Sequence, residues 1–458
     1  MIFAVSAVAI LGMVGVGTEV GAWYLARSAA DNAADAAACA AALAISVGSP
    51  YDAAAIDSAS DNGYTSSGTV TVTANNPPAT GNYTTNNHAA EVLINVTFSP
   101  ILASLFTKAT PTVASRSVAI VEPIGTACVL STTGDLQITA NQTALGCTYA
   151  SNASDATAVN IPSATITAYG VTSVGTCTGC DNGGNLLLRP AAAYQPPTTN
   201  PYTAIDALSL PTTFTPISIP SPVPASYTLV PATAKGTFNT GTSVATTYAW
   251  TSSSPYYAYE ANLVIPAGTT LTLVPGTYFF VNASLTLNGG TIQCKVSTAV
   301  GAGACGPGTQ GVTIVLMGNP SASVGNLTIA SAATVSLGAL ASQSSSFTNS
   351  SGLGTGYSAL NGMLFYRRGQ ASGENVGAPG VNIAGKTSGT PTILNGGMYF
   401  PNSYVSYGAN GGSSTATCAI IVAGNLSLAN AASKFSTGNC TSVYKTAMPQ
   451  VEAVRVVE

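Results

Sequence analysis

The stretch "ANLVIPAGTTLTLVPGTYFFVNASLTLNGGTI", residues 261–292, alternates short apolar runs with Gly, Asn and Pro. Apolar segments this short, bounded by turn residues and without a helical period, predict β-strands. Similar segments recur at irregular intervals over residues 250–440. Such a unit cannot bury its apolar face alone, so consecutive units stack on one another. The recurrence predicts a parallel β-helix over residues 216–458, with a β-sandwich as the alternative.

The composition is poor in charge. Only 6% of the 458 residues are charged and the formal net charge is −4, whereas soluble domains average about 25% charged residues. A surface rich in hydroxyl and amide groups favours a location outside the cytoplasm. Nucleic-acid affinity comes mainly from Lys and Arg that neutralise phosphates, so this composition argues against a nucleic-acid partner.

Eight of the nine cysteines fall into four pairs that are close in sequence. The pairs are Cys128 with Cys147, Cys177 with Cys180, Cys294 with Cys305, and Cys418 with Cys440. An even number of cysteines in a polar, charge-poor region predicts disulfides formed in an oxidising compartment. Eight cysteines allow on the order of 100 connectivities, so the nearest-neighbour pairing that we favour is one of many. Cys39 stands apart and is expected to be a buried thiol.

The N-terminus is apolar. Residues Ile2 to Thr18 carry no charge, and the apolar character resumes beyond Glu19. A bilayer is crossed by about 20 apolar residues, and Trp23 and Tyr24 lie where an interfacial aromatic belt is expected. The sequence predicts a single-pass inner-membrane helix, with a secretory signal peptide as the alternative. The disulfides then require that the bulk of the chain is periplasmic or extracellular.

An Ala-rich segment, "ARSAADNAADAAACAAALAI" at residues 26–45, is predicted to continue this helix as far as "GSP" at 48–50. Its two aspartates are spaced i, i+4 and share one stripe of the helix. Further toward the N-terminus, a GxxxG pair around an acidic residue is a helix-packing motif. We predict a docking face for a partner membrane helix, formed by Gly17, Glu19, Gly21, Asp31 and Asp35.

The following segment alternates apolar and polar residues. Residues 68–75, 90–98 and 112–121 are predicted to be strands, and residues 99–108 a short amphipathic helix. The whole chain is then expected to be mainly β and to have four parts. They are a transmembrane and Ala-rich helix at 1–47, a pilin-like α+β unit at 48–125, a cysteine-bearing β region with a Pro-rich linker at 126–215, and the β-helix at 216–458.

The segment "YLARSAADNAADAAACAAALA", residues 24–44, resembles the start of TadG-like proteins of the TadE/TadG pilus-assembly group. Blocks such as "AAEVLINVTFSPILASLF" and "CAIIVAGNLSL" follow the order found in that family. The processing pattern of true prepilins is missing, so cleavage by a prepilin peptidase is not expected. The resemblance implies a membrane-anchored component of a Flp-type, or tight-adherence, pilus system whose partners are other pilus-assembly or pilin-like membrane proteins.

Few residues offer catalytic chemistry. His88 is the single histidine, and between residues 207 and 451 the acidic residues are Glu260 and Glu374 alone. Two-carboxylate catalysis of a polysaccharide would require these two to share one groove. The sequence therefore predicts a protein that is not an enzyme and uses no cofactor or metal.

The β region carries two further features. Arg367 and Arg368 form an adjacent basic pair that is expected to be solvated at the end of a strand. Tyrosines in "SPYYAYE", residues 254–260, are expected to be exposed. They support an alternative function, a secreted or surface adhesin that binds a surface glycan.

Overall fold

The computed structural model describes most of the chain. The described residues are 2–99, 110–180, 193–209, 214–238, 246–249, 256–299, 301–308, 310–318, 324–343, 355–369, 374, 379–384, 392–408, 417–429 and 433–458. Their side chains are described except at residues 2–13, 16, 145, 235–238, 246–249, 355 and 356. The predicted amphipathic helix at 99–108 lies outside the described residues beyond its first position.

The protein is mainly β, with helices near its N-terminus. The helices are α1 (Ile2–Ser46) and α2 (Tyr51–Asp61). The strands up to residue 238 are β1 (Val70–Asn75), β2 (Ala89–Thr97), β3 (Thr112–Ser131), β4 (Leu136–Ile138), β5 (Gln142–Ser151), β6 (Val159–Asn160), β7 (Ile166–Ser173), β8 (Cys177–Thr178), β9 (Phe214–Pro216), β10 (Ser226–Thr228) and β11 (Lys235–Phe238).

The later strands follow at short intervals. They are β12 (Thr246–Ala249), β13 (Tyr256–Tyr259), β14 (Leu263–Pro266), β15 (Thr270–Leu273), β16 (Gly276–Val281), β17 (Leu285–Asn288), β18 (Thr291–Cys294), β19 (Val312–Met317), β20 (Leu327–Ile329), β21 (Thr334–Gly338), β22 (Met363–Arg367), β23 (Val381–Ile383), β24 (Ile393–Tyr407), β25 (Ala419–Leu428), β26 (Lys434–Ser436) and β27 (Gln450–Val456).

The chain folds into two compact units. The first consists of Met1–Ile124, Gln195–Pro197 and Glu452–Glu458, and the second of Gly125–Tyr194 and Thr198–Val451. The boundaries that we expect from the sequence at residues 47, 125 and 215 stay predictions.

In the first unit, the Ala-rich segment is helical as predicted, since alanine has the highest helix propensity and no Pro or Gly interrupts residues 26–45. One face of α1 is buried from Ala30 to Ala42 against Ala55 and Ala59 of α2. Small side chains on both helices let their backbones approach closely.

The same face of α1 also packs on an antiparallel sheet in which β2 lies between β1 and β3. The three strands predicted from the alternating pattern are present. Because side chains alternate across a strand, Ala90, Val92 and Ile94 of β2 face the helix. Ala89 packs on the opposite face, with Val118.

The second unit consists mostly of parallel strands. The described strands of this unit belong to a large mixed sheet, except β11 and β12, which form a separate antiparallel pair. Parallel pairs follow one another in register, so that buried aliphatic side chains align from strand to strand. One such column comprises Leu263, Leu285, Leu327, Val381, Val405, Leu426, Leu136 and Val159.

The order of strands in this column differs from their order in the chain. Strand β25, late in the chain, pairs in parallel with β3 and β4, which are much earlier in sequence. From there the pairing continues to β5, β6, β7 and β8. Residues 129–178 therefore extend the stack beyond residue 428.

All eight paired cysteines form disulfides with their sequence neighbours: Cys128–Cys147, Cys177–Cys180, Cys294–Cys305 and Cys418–Cys440. This is the nearest-neighbour pairing. Each bridge closes a loop of 22 residues or fewer in sequence separation, so each constrains a short part of the second unit.

The described part of the chain contains no helix with both the length and the apolarity needed to cross a membrane. Side chains of most residues in the predicted anchor, Ile2 to Thr18, lie outside the described set.

Candidate functional site

The two halves of α1 differ in their surroundings. From Ala30 onward the helix buries one face within its own unit. Before that point, Val14, Val20, Tyr24 and Leu25 are exposed, Tyr24 to 74% and Leu25 to 69%. Large apolar side chains that are exposed together are typical of an interaction surface or a membrane contact.

Asp31 makes a contact within the unit. The Ser115 hydroxyl of β3 donates a hydrogen bond to Asp31 Oδ1 at 2.6 Å. The Arg27 guanidinium lies 3.9 Å from the same carboxylate, but both side chains are more than half exposed. Such a pair contributes little to stability. The predicted docking residue Asp31 therefore also holds α1 on the sheet.

Asp35, one turn further along, is exposed. It lies near the free thiol of Cys39, which is half-buried rather than buried as expected from the sequence. Burial, followed by the negative charge of Asp35, raises the pKa of Cys39. This thiol is therefore protonated at neutral pH and unreactive.

Gly17 and Gly21 face open space: a methyl group added at either position would have no atom within 4 Å. Next to them, a cavity of about 350 Å³ is bounded by Glu19, Trp23 and Phe98, among others. The role of Gly17, Glu19 and Gly21 in docking stays a prediction.

A buried carboxylate in the first unit was not anticipated from the sequence. Glu91 of β2 is 1% exposed. It accepts hydrogen bonds from Arg116 Nε at 2.6 Å, Asn75 Nδ2 at 2.8 Å, the Ala79 amide at 3.0 Å and Thr80 Oγ1 at 3.2 Å. Strand alternation places Glu91 on the face of the sheet opposite the helix, which predicts an exposed side chain. The residues between β1 and β2 cover this face, and no motif in the sequence predicts that they do.

The environment of Glu91 favours its ionised form. Burial raises the pKa of this carboxyl, but hydrogen bonds from Ala79, Asn75 and Arg116, together with the charge of Arg116, lower it overall. Arg116 also pairs with Glu458 at 2.9 Å. Glu458 is thereby tied to β3, where the Val118 amide also donates a hydrogen bond to the Glu458 carbonyl.

We expect Glu91→Gln to lower the free energy of unfolding by about 2 kcal/mol at neutral pH, because a charge-assisted hydrogen bond is lost in a buried site. The folded-state pKa of Glu91 is depressed, so its contribution is complete above the ordinary value of 4.5 and is lost as the pH falls through the folded pKa. Denaturant unfolding of both proteins across that pH range measures this.

The matched control is Glu122→Gln, which removes a carboxylate from an exposed pair with Arg455. Its cost is expected to stay below about 1 kcal/mol at every pH. Equal losses for the two variants, or a Glu91→Gln deficit that does not shrink in acid, would contradict the assignment.

The candidate catalytic residues named from the sequence are not grouped into a catalytic site among the described residues. His88 is exposed and its amide binds Asn86 Oδ1. Glu374 is bound to Arg367 in a salt bridge, and both side chains are buried, at 7% and 1% exposure. The expectation that Arg367 is solvated is wrong, because strand β22 points this side chain toward buried acceptors. Among the described residues, no group of three His, Cys, Asp or Glu could hold a metal ion.

The fold and its helix define a mainly β, disulfide-bearing protein with a long, small-residue N-terminal helix. Residues 1–44 match the family described as putative Flp pilus-assembly TadE/G-like. The chain thus has an N-terminal Tad domain, which confirms the resemblance seen in residues 24–44. The blocks further along the chain lie outside the match. Comparison with the curated proteins and with the solved structures gives no match.

The Tad domain indicates a role in Flp pilus assembly, in association with the pilus-assembly machinery. Proteins of this family are typically non-enzymatic. Together, the domain and the four disulfides indicate a protein of the cell envelope.

Proposed function

We propose that this protein is a non-enzymatic structural or assembly component of a Flp-type pilus system. It is anchored in the inner membrane by the N-terminal part of α1, and it acts through protein–protein contacts. The observation that carries the proposal is the difference between the two halves of α1. One half is buried in its own unit, and the other presents exposed apolar residues such as Leu25.

The anchor is supported by the apolar run from Ile2 to Thr18, which precedes the exposed aromatic residue Tyr24. Trp and Tyr concentrate where a membrane helix meets water. In this proposal the start of α1 lies in the bilayer, and the chain beyond it lies on the periplasmic or extracellular side, where disulfides persist.

The second unit provides the body of the protein in this proposal. We infer that its parallel strands wind as a β-helix. Support comes from the in-register columns of buried side chains, such as Leu263, Leu285 and Leu327. Where the connections between paired strands are short, the strands also recur about 20 residues apart. An antiparallel sandwich would not produce successive parallel pairs. Four disulfides then make this body resistant to local unfolding.

Partner contacts are assigned to the exposed side of α1. Gly17 and Gly21 leave the backbone open to close approach, as in helix pairs that pack through small residues. Asp35 lies further along the helix and is exposed. A partner with a hydrogen-bond donor or a cation at this level would bind it.

Photo-crosslinking in cells that hold the complete pilus machinery tests the proposal. A photoreactive residue replaces Asp35 in one variant and, as the matched control, Asp57 in the other, since Asp57 is exposed on α2. We expect a crosslink to a pilus-machinery subunit from position 35 alone, in the inner-membrane fraction, and an intact N-terminus by mass analysis. A released, cleaved chain without that crosslink would refute the anchored role.

The alternative of an adhesin that binds glycan through the tyrosines at 254–260 is disfavoured, because two of these three rings are buried and Tyr257 is half-buried. Tyr256 is 5% exposed and Tyr259 is 1% exposed. Tyr259 donates its hydroxyl to the Val230 carbonyl at 3.3 Å, and its ring stacks on Phe280. These rings are core residues. A lyase built on Glu374 is also disfavoured, because Arg367 already neutralises that carboxylate.

A further inference from the structure

The outer side of one parallel ladder carries a row of polar side chains. Strands β10, β15, β18 and β21 pair in register, which aligns Thr228, Thr272, Gln293 and Ser336. We call these four residues the polar row. Neighbouring strands lie about 4.8 Å apart, so the row is about 14 Å long. The intervening side chains, such as Leu271 and Ile292, are buried on the inner side.

A hairpin rises beside this row. The Cys294–Cys305 disulfide closes its base, and Lys295 pairs with Ala304 across it. The Lys295 amide is fixed by the Leu273 carbonyl at 2.8 Å, and the Val296 amide by the Gly303 carbonyl at 3.0 Å. The hairpin is therefore held in place by the same strands that carry the polar row.

Two cavities lie between the hairpin and the row, with volumes of about 420 Å³ and 560 Å³. The larger is lined by Thr228 and Thr272, the smaller by Gln293 and Ser336, and Lys295 lines both. A hydrogen bond of 3.2 Å from Gln293 Nε2 to Thr272 Oγ1 joins the two floors. The two cavities are adjacent, because Lys295 lines both, and together we call them the Lys295 groove.

The Lys295 groove is lined by neutral polar groups and one cation. Its polar side chains are hydroxyls and carboxamides, which both donate and accept hydrogen bonds. Of the described residues that line it, Lys295 is the one charged group, and no carboxylate is among them. At one end the groove is closed by the ring of Tyr444, which is buried.

These features favour one ligand class over others. A nucleic acid requires several cations to neutralise its phosphates, and one lysine does not supply them. A peptide strand requires a free sheet edge, whereas the strands of the floor are paired on their neighbours. The hydroxyl groups of a carbohydrate can exchange hydrogen bonds with the hydroxyl and amide groups of the groove. A carboxylate on the carbohydrate can accept a charge-assisted hydrogen bond from Lys295.

We propose that the Lys295 groove binds an acidic polysaccharide, with a sugar carboxylate at the Lys295 ammonium and sugar hydroxyls on the polar row. The ligand class is a uronic- or sialic-acid-containing glycan. This site is separate from α1, so it stands independently of the proposed role in pilus assembly.

Glycan-array binding by the full chain in detergent tests this proposal. The array carries glycans with uronic or sialic acids, their carboxyl-reduced counterparts of the same linkage, and poly-glutamate as an acidic peptide probe. We expect binding to acidic glycans that falls at least about tenfold on carboxyl reduction, since a charge-assisted hydrogen bond is lost. Poly-glutamate is expected not to bind.

The decisive variant is Lys295→Gln, for which we expect about tenfold weaker binding. Lys434→Gln is the matched control, since it removes the same charge from the second unit outside both cavities. Ser336→Trp, which fills the smaller cavity from an exposed position, is expected to abolish binding with unchanged thermal unfolding. No bound acidic glycan, equal binding of the reduced forms or of poly-glutamate, or unchanged binding by Lys295→Gln would overturn the proposal.

Discussion

Replacing Arg367 by methionine is expected to lower the free energy of unfolding of the second unit by about 3–5 kcal/mol, because it leaves a buried carboxylate without its cation. Arg367 is 1% exposed. Its Nε donates to the Gly325 carbonyl and its Nη1 to Ser403 Oγ, both at 2.7 Å, and it forms a salt bridge with Glu374. Without the guanidinium, Glu374 keeps the Gly380 amide at 3.0 Å as a donor.

The adjacent arginine is the matched control. Arg368 is partly exposed and donates to the carbonyls of Leu208 and Asp206 at 3.3 Å each. Arg368→Met is expected to cost about 1 kcal/mol. Denaturant-induced unfolding measures both variants. Equal losses would show that the buried pair is not what stabilises this strand.

A double variant separates the buried charge from the lost contacts. Adding Glu374→Gln to Arg367→Met removes the uncompensated charge and should restore part of the stability, because paired charges are coupled. No recovery would mean that the loss comes from the Gly325 and Ser403 contacts instead.

The second large effect is expected for Phe280→Ala. Phe280 is fully buried, and its ring stacks on Tyr259 with centroids 5.1 Å apart. Truncation of a buried Phe costs about 3–5 kcal/mol, from lost transfer free energy and the cavity left behind. Val264→Ala, at a 48% exposed position in β14, is the control and should stay within about 0.5 kcal/mol. Thermal unfolding measures both.

Hydrogen exchange on Phe280→Ala tests the stacked arrangement itself. Strands β13 and β19 flank β16, so their amides are expected to lose the most protection. Strand β7, at the other end of the pairing order, should lose the least, because each layer of a stack contacts mainly its neighbours. Uniform loss along the unit would contradict this.

Much of the architecture follows from local patterns in the sequence. The Ala-rich run predicts α1, since propensity and the absence of Pro and Gly agree there. Alternation predicts β1, β2 and the first part of β3. Sequence proximity of the cysteines matches the pairing found, since each bridge joins residues no more than 22 positions apart.

The features that sequence reasoning missed depend on distant residues. Glu91 is buried because Arg116 and the residues before β2 cover it, and none of these carries a recognisable motif. Arg367 is buried because Gly325 and Ser403, from other strands, supply acceptors. The tyrosines at 256 and 259 are predicted to be surface residues because their sequence context is polar, yet both are buried.

The position of β3 and β4 beside β25 affects the order in which the parts of the protein fold. The end of β3 cannot pair until Ile421, almost three hundred residues later, has been synthesised. Contacts between residues this far apart in sequence form slowly, because a long loop must close first. Residues 129–178 are therefore synthesised before the strand on which they pack. We expect this segment to acquire protease resistance last, and to be the part that depends most on chaperones during folding.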